Sequence, residues 1–505
     1  MKGKRIVRNA AALIAGQPIT WVLTLVFTVM VPRNVGPSEW GEWTLAQSLG
    51  QLSSVLFDLG MNTVLVKAIS RRPEEAQSQI GAVMTARLVL APLMMLTMLG
   101  FSLAVGYSQH TQILIALAAL SFGFASITAS AASALQGFER MHLSAFASVL
   151  TGVILTTGAV IMVKILALGV ISICALAVCS QIIGGVPILV WLNRQVQVRP
   201  TLDWQVVYKL VREGMPYWAS RGTFTAYAWL AAVMISLLGA TQENGWYSVA
   251  FQMMSLPGFL IYAVTTAVFP ALSRGFVDGG EQTVDLMARS FRLLVTLSLP
   301  MAAGLALVSG NLVALLYGAW FAPAGHVLAV IALVTPPVFV ATLVGTFLIA
   351  ADRQTQWTCT MAGLCVVNLL LNLITIPYFH AHHGNGALGA AITLLVTDTA
   401  SGVVALVLLP ADIRSAIRRN TRSILGAATA TAFMAAAVWP LRRLFIPIPV
   451  ITGAVVFAGS ALALRVFPRD EIEILVRPAL QMAARLHPAF APEVMTALDP
   501  ESEVG

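Results

Sequence analysis

Charge is what this sequence has least of. Of 505 residues, 10% are Asp, Glu, Lys or Arg and 58% are hydrophobic. An average soluble domain carries about 25% charged residues. Too little polar surface is present to cover a water-soluble globule, and the mean hydropathy of +0.83 agrees. The same excess of apolar residues excludes a disordered chain. Cysteine is also scarce, with four in the whole chain, which excludes a disulfide scaffold. No G-x-x-x-x-G-K-[ST] stretch occurs, so the chain does not hydrolyse ATP by a P-loop. Long apolar runs are what it has in abundance. They predict an all-α, polytopic membrane protein with most of its helices in lipid.

Lys2, Lys4, Arg5 and Arg8 precede an apolar run from Ala10 to Val31. A signal-peptide core is about 7–15 residues long. This run is longer and lacks an A-x-A site, so it reads as a first, uncleaved transmembrane helix. A span needs about 20 apolar residues, and fourteen such segments are expected, from 10–31 to 448–467. The segment 424–440 is the shortest and ends at Pro440. Positive charge provides an independent test. With the N-terminus in the cytoplasm, only Arg33, Lys164, Arg442 and Arg443 of the 30 Lys and Arg residues fall on the outer side. Arg87 and Arg221 lie within spans, and the others are cytoplasmic. Arg442 and Arg443 are the discordant pair. The net charge of +8 therefore reflects topology and not nucleic-acid binding. The longest outer loop is expected at 310–325. In the tail, Ile472, Leu475, Leu480, Met482 and Leu486 suggest an interfacial amphipathic helix.

The chain repeats itself weakly at a shift of about 204 residues. "EWGEWTLAQ" (39–47) faces "ENGWYSVAF" (243–251), matching Gly41 to Gly245 and Trp43 to Tyr247. "IVRNAAAL" faces "LVREGMPY", "AISRR" faces "ALSRG", and "ALQGFER" faces "FLIAADR" in the same order. The unit holds six helices. An even number sends both copies through the membrane in one direction, so their pseudo-two-fold axis runs along the membrane normal. The expected organisation is an N-lobe at 1–200, a C-lobe at 201–412, two added helices at 413–467 and a cytoplasmic tail at 468–505. Two lobes around a central cavity make an alternating-access layout.

The run "VPRNVGPSEWGEWTLAQSLGQLSSVLFDLGMNTVLVKAISRR" (31–72) and "ALQGFERM" (134–141) resemble the polysaccharide and O-antigen flippases. These belong to the multidrug/oligosaccharidyl-lipid/polysaccharide exporter superfamily. The resemblance implies a lipid-linked oligosaccharide, carried on undecaprenyl diphosphate from the inner to the outer leaflet of a bacterial cytoplasmic membrane. It further implies no catalysis and no cofactor. A polysaccharide polymerase or glycosyltransferases would be partners. Trp40 and Trp43 stand where such flippases often have tyrosine. Lipid II flippases carry several basic residues on the cavity face of their first two helices. Here there are only Arg33 at an outer end and Lys67 at an inner one, which disfavours that branch. A cation-coupled multidrug exporter is the other alternative within the superfamily. A membrane glycosyltransferase or polymerase is more remote, because the outer loops offer only Glu39 and Glu243 as carboxylates.

Ionisable residues inside spans are functional candidates by default. Arg221 lies on the span 215–238, and its match by the repeat is Gln17 on the first. The resemblance places both helices at the cavity. The planar guanidinium suits a diphosphate, so Arg221, with Gln17 and Arg33, is expected to bind substrate; snorkelling to the headgroups is the alternative. Asp58 and Arg87 lie at similar depths on neighbouring helices and are expected to form a structural ion pair, with Asp58 a second coupling candidate. Asp398, mid-span without a basic partner, is the first candidate to carry a coupling proton, or to hold Na⁺ with Thr397 and Thr399. The alternative is a neutral carboxyl bonded to a neighbouring helix. Asn368 and Asn372 share a helix face and are expected to bond between helices.

Other features carry less. "GNGALG" (384–389) follows a helix and not a strand, so its glycines are expected to open the next helix. His380, His382 and His383 are expected in a polar loop tip with no metal. The four cysteines are expected to be small apolar packers. Ser121, Ala125, Ala129 and Ser133 recur every four residues and suggest a close helix seam.

Overall fold

The structure, a computed structural model, describes residues 2–197, 203–278 and 281–467, with side chains described from Ile19 onward except at 255–256 and 275–281. Among the described residues there is no strand. The helical segment Lys2–Asp58 is broken at Gly36, where φ is 86° and ψ 172°. A single helix of that length would far exceed a bilayer core of about 30 Å, and the positive φ that glycine tolerates allows the break. It divides the segment into α1 (2–35) and the first part of α2 (37–58), which Met61–Arg71 completes. Then follow α3 Ala76–Val105, α4 Gln109–Gly137, α5 Met141–Lys164 and α6 Val170–Val196. α7 is Trp204–Leu238, and α8 comprises Thr241–Met253 and Ser255–Asp278, bent beside Pro257. α9 is Glu281–Tyr317, and α10 joins Ala324–Ala332 to Thr335–Ala350 through a 46° bend next to Pro336 and Pro337. α11 is Gln354–His383, α12 Gly386–Leu408, α13 Thr421–Leu441 and α14 Pro447–Ala463.

These fourteen segments match the expected spans one for one. Ten described helices are long and apolar enough to cross a membrane, or twelve with each bent pair taken as one. The difference lies in the undivided first segment and in the short α14. The protein is a multi-pass membrane protein. A short amphipathic helix, Ala411–Arg419, buries Ile413 and Ile417 and turns its arginines outward. The tail that was expected to form an interfacial helix lies outside the described residues.

The helices α1–α6 pack among themselves, as do α9–α12, and α13 and α14 lean on α9. The two groups meet where α2 crosses α8. There Gly41 and Gly245, matched by the internal repeat, face each other across the pseudo-axis. A Cβ on Gly41 would lie 2.0 Å from the Thr241 carbonyl oxygen, and one on Gly245 2.1 Å from that of Pro37. Asn244 donates to the Gly41 carbonyl at 2.9 Å. Glu39 and Glu243, also matched by the repeat, do the same work in each group. Glu39 accepts from the Val170 amide at the start of α6. Glu243 accepts from the Ala240 amide and packs against Gly386 at the start of α12. A carboxylate beside a helix N-terminus satisfies its free amides and complements its dipole.

Several local expectations need correction. The loop expected at 310–325 is short, because α9 runs on to Tyr317 and a 3₁₀ turn, Ala319–Phe321, follows; Gly310 and Asn311 interrupt the apolar run without ending the helix, and residues 312–317 continue it. The histidines 380, 382 and 383 are not in a loop. They form the last turn of α11, with His382 stacked on Tyr378 and His383 on Phe379. Only Cys174 is buried; Cys365 is half-buried, and Cys179 and Cys359 are exposed. The seam on α4 runs through Ser130, Ala134 and Gly137, while Ala129 is exposed. A four-residue spacing drifts about 40° per step around a helix of 3.6 residues per turn, so the stripe leaves the buried face. The glycines of 384–389 do open α12: Gly384 is left-handed and Asn385 caps the helix by accepting from Leu388.

Candidate functional site

The break in α2 positions the site. Leu59 and Gly60 both have positive φ, which ends one helical piece at Asp58 and starts the next at Met61. The carbonyls of that helix end lose their intrahelical partners. Arg87 of α3 replaces them. It donates to the Phe57 carbonyl at 2.8 Å, to Asp58 Oδ1 at 2.6 Å and to Ser130 Oγ at 2.8 Å. Ser130 in turn donates to Asn62 Oδ1. Arg87 is 1% exposed and Asp58 8%, so the two charges compensate each other away from solvent. This arrangement leaves Asp58 bound to Arg87. It pins α2, α3 and α4 around the break.

The break presses on the opposite lobe. Gly60 faces Gly214 of α7, where a Cβ would come within 2.2 Å of the Gly214 carbonyl oxygen. One turn along, the Lys67 ammonium donates to the Tyr217 hydroxyl and lies over its ring. Gly214, Tyr217 and Arg221 are spaced i, i+3 and i+7, so they share a face of α7. The adjacent Gly222 approaches Val55 of α2. Arg221 therefore belongs to the face of α7 that meets α2, midway along a 35-residue helix. It is exposed, has no hydrogen-bond or ion-pair partner among the described residues, and lies within electrostatic reach of Arg87. No carboxylate among the described residues forms an ion pair with Arg221, and Asp58 is bound to Arg87. On α1, Trp21 meets Phe259 of α8 edge-on at 5.4 Å. Gln17 lies one turn before, and its side chain is outside the described residues. Arg33 is remote from this group. Its guanidinium donates to the Leu315 carbonyl at the far end of α9.

A second polar group is buried between α7, α11 and α12. Tyr227 donates to Asp398 Oδ1 at 2.8 Å and is the same distance from Thr397 Oγ1. Asn368 donates to Thr397, and Asn372 donates to Asn368. Asp398 is 7% exposed. Thr399 does not join: it is exposed and bonds its own helix at the Leu395 carbonyl. One residue from Asp398, it lies about 100° around the helix. Asn372 Oδ1 is buried without a donor. Among the described residues no three His, Cys, Asp or Glu side chains gather to hold a metal.

Two partners of the candidate residues were not singled out from sequence. Tyr227 is 171 positions from Asp398, and Tyr217 is 150 from Lys67. The only sequence signal is two tyrosines on the same span as Arg221, four and six residues from it.

Solved structures share this architecture. The lipid II flippase MurJ, in an inward closed conformation, superposes with a TM-score of 0.73 at 14% identity, covering 94% of this chain and 100% of that one. An inward-facing multidrug resistance MATE family transporter of the MOP superfamily gives 0.65 at 14% identity, covering 79% and 96%. By sequence, the probable low-salt glycan biosynthesis flippase Agl15 of Haloferax volcanii is 22% identical over 179 residues, which is 35% of this chain and 37% of that protein. The match thus spans well under half of that relative. The sequence profile of the polysaccharide biosynthesis proteins fits residues 6–276, more than half of the chain. The chain belongs to the polysaccharide biosynthesis protein family.

Proposed function

We propose that the protein is a flippase. It carries an undecaprenyl-diphosphate-linked oligosaccharide from the inner to the outer leaflet of a bacterial cytoplasmic membrane, by alternating access of two six-helix lobes. The observation that carries this reading is Arg221, an uncompensated guanidinium on the α7 face that meets α2. A diphosphate crossing a core of about 30 Å needs its charge offset, and a guanidinium does so through paired hydrogen bonds. Family membership and the flippase relatives support the class. The basic end of the molecule, with Arg71, Arg72, Lys209 and Arg212, is cytoplasmic by the positive-inside rule. The contacts Gly60–Gly214 and Lys67–Tyr217 then close the inner side, and Gly41–Gly245 the outer side. Glycosyltransferases would supply the substrate and a polymerase would consume the product.

Asp398 is the coupling site in this proposal. A carboxyl bonded to Tyr227 and beside Thr397, away from solvent, can take up and release H⁺ or hold Na⁺. The same cluster favours a second reading, a cation-coupled exporter of small molecules. An assay of surface polysaccharide in a flippase-deficient strain, normalised to protein level, separates the readings. The flippase restores output, Arg221→Ala reduces it at least about tenfold, and Arg221→Lys restores only part because it lacks the bidentate fork. Full activity of the Ala variant eliminates the clamp. Washed membranes supplied with the lipid-linked sugar should form no new glycosidic bond; new bonds would make the protein an enzyme.

A further inference from the structure

The outer end of α9 holds a cavity of about 370 Å³ that none of the transport chemistry uses. Its floor is made of small residues. Gly310 of α9 and Gly325 of α10 approach so closely that a Cβ on Gly325 would lie 2.9 Å from the Gly310 Cα. Its rim carries the cations Arg442 and Arg443, on the turn between α13 and α14, with His326 of α10 beside them. No carboxylate lines it. The glutamates of that side are engaged elsewhere: Glu39 at α6, Glu42 with His110 and Thr111, and Glu243 with His380. Neither arginine has a carboxylate partner among the described residues.

The turn that carries the arginines is held in place. Asn311 donates to the Arg442 carbonyl at 2.7 Å and to that of Leu444 at 3.3 Å. The Arg442 guanidinium lies 3.6 Å from the centroid of the Trp439 ring, which fixes its plane. Trp439 and Phe445 are themselves exposed, as aromatic residues are at the headgroup level of a bilayer. Two adjacent arginines at an outer turn run against the charge bias that orients membrane proteins. A ligand for them would explain their presence.

The geometry points to a binding site for the phosphate of an anionic lipid headgroup at the outer leaflet, held by Arg442 and Arg443 over the Gly310–Gly325 floor. The leaflet rests on the proposed topology, and the site itself does not. Guanidinium pairs recognise phosphate oxygens bidentately, and a floor without bulky side chains admits a compact head. Two lipids offer this chemistry: an anionic phospholipid, or an isoprenyl phosphate such as a spent sugar carrier.

The test uses the purified full-length protein in micelles and counts bound lipid by native mass spectrometry. Phosphatidylglycerol, undecaprenyl phosphate and, as the zwitterionic comparison, phosphatidylcholine are titrated separately. The double variant R442Q/R443Q should bind at least one of the two anionic lipids about tenfold or more weakly than wild type, with phosphatidylcholine unchanged. Loss confined to phosphatidylglycerol assigns the site to phospholipid; loss confined to undecaprenyl phosphate assigns it to the carrier. The pair R414Q/R418Q removes the same charge at the opposite face and should keep both affinities. Equal losses in the two double variants, or no loss in R442Q/R443Q, would overturn the site. Arg443→Gln alone leaves the Arg442 stack and the Asn311 bonds in place. It should show a smaller loss, and it keeps the test decisive if the double variant folds poorly.

Discussion

Arg87 and Arg221 are the same residue type at comparable depth, yet they face opposite surroundings. Arg87 is enclosed, with its donors divided among a carboxylate, a carbonyl and a hydroxyl. Arg221 is exposed at the face between lobes and unpaired among the described residues. Truncation should separate them. Arg87→Ala strands a buried Asp58 and should lower stability by about 3–5 kcal/mol, read as a shift in the denaturant midpoint in micelles. Arg221→Ala should leave that midpoint within about 0.5 kcal/mol while transport falls. Equal destabilisation would mean that Arg221 is also structural. At Asp398, the variant Asp398→Asn keeps the shape and an acceptor for Tyr227 but cannot exchange a proton. Transport into inverted vesicles should then lose its response to a pH gradient, with the protein still inserted; an unaltered response would leave Asp398 a packing role. The pairing of Asp58 with Arg87 was legible from depth alone, since neighbouring helices bring equal depths together. The tie from Tyr227 to Asp398 was not, because it depends on how α7 is rotated against α12.

The spans, at the level of elements, were legible because the bilayer demands a length of apolar chain and little else. Even 424–440, short and ended by a proline, is a helix, Thr421–Leu441. The breaks inside a span were not legible. A kink such as Leu59–Gly60 interrupts neither apolarity nor length, so it leaves no mark on hydropathy. What reveals it is the packing it permits, with Gly60 against Gly214 on one side of the molecule and Gly41 against Gly245 on the other. These two contacts make a direct prediction about conformation. Gly41→Leu puts a side chain where the Thr241 carbonyl stands, so the outer seam cannot close. Spin labels at Ser38 and Gln242, both exposed, should move apart by several ångströms, comparable with the pitch of about 5.4 Å for one helical turn. Unchanged distances would mean that the helices slide without opening and that the glycine contact is no gate.

Across the whole molecule, the repeat and the charge distribution argue for one orientation from independent directions. The repeat unit holds six segments in each lobe, an even number, so both copies run in the same direction. Pairs matched by the repeat then occupy equivalent places: Gly41 and Gly245 touch, and Glu39 and Glu243 each brace the start of the last helix of their own lobe. Such pairs must lie on the same side of the membrane, because an even unit preserves direction. Charge then decides which side. Lys67, Arg71, Arg72, Lys209 and Arg212 cluster at the end opposite Glu39 and Glu243, and the positive-inside rule assigns that end to the cytoplasm. In the proposed topology His383, exposed at the end of α11, is outside, and Asp352, exposed before its start, is inside. In a variant freed of its four native cysteines, a membrane-impermeant maleimide should label a cysteine at 383 in intact cells and one at 352 only after permeabilisation. The reverse pattern would invert the molecule, turn Arg442 and Arg443 toward the cytoplasm, and remove the outer-leaflet assignment of their site along with the proposed direction of transport.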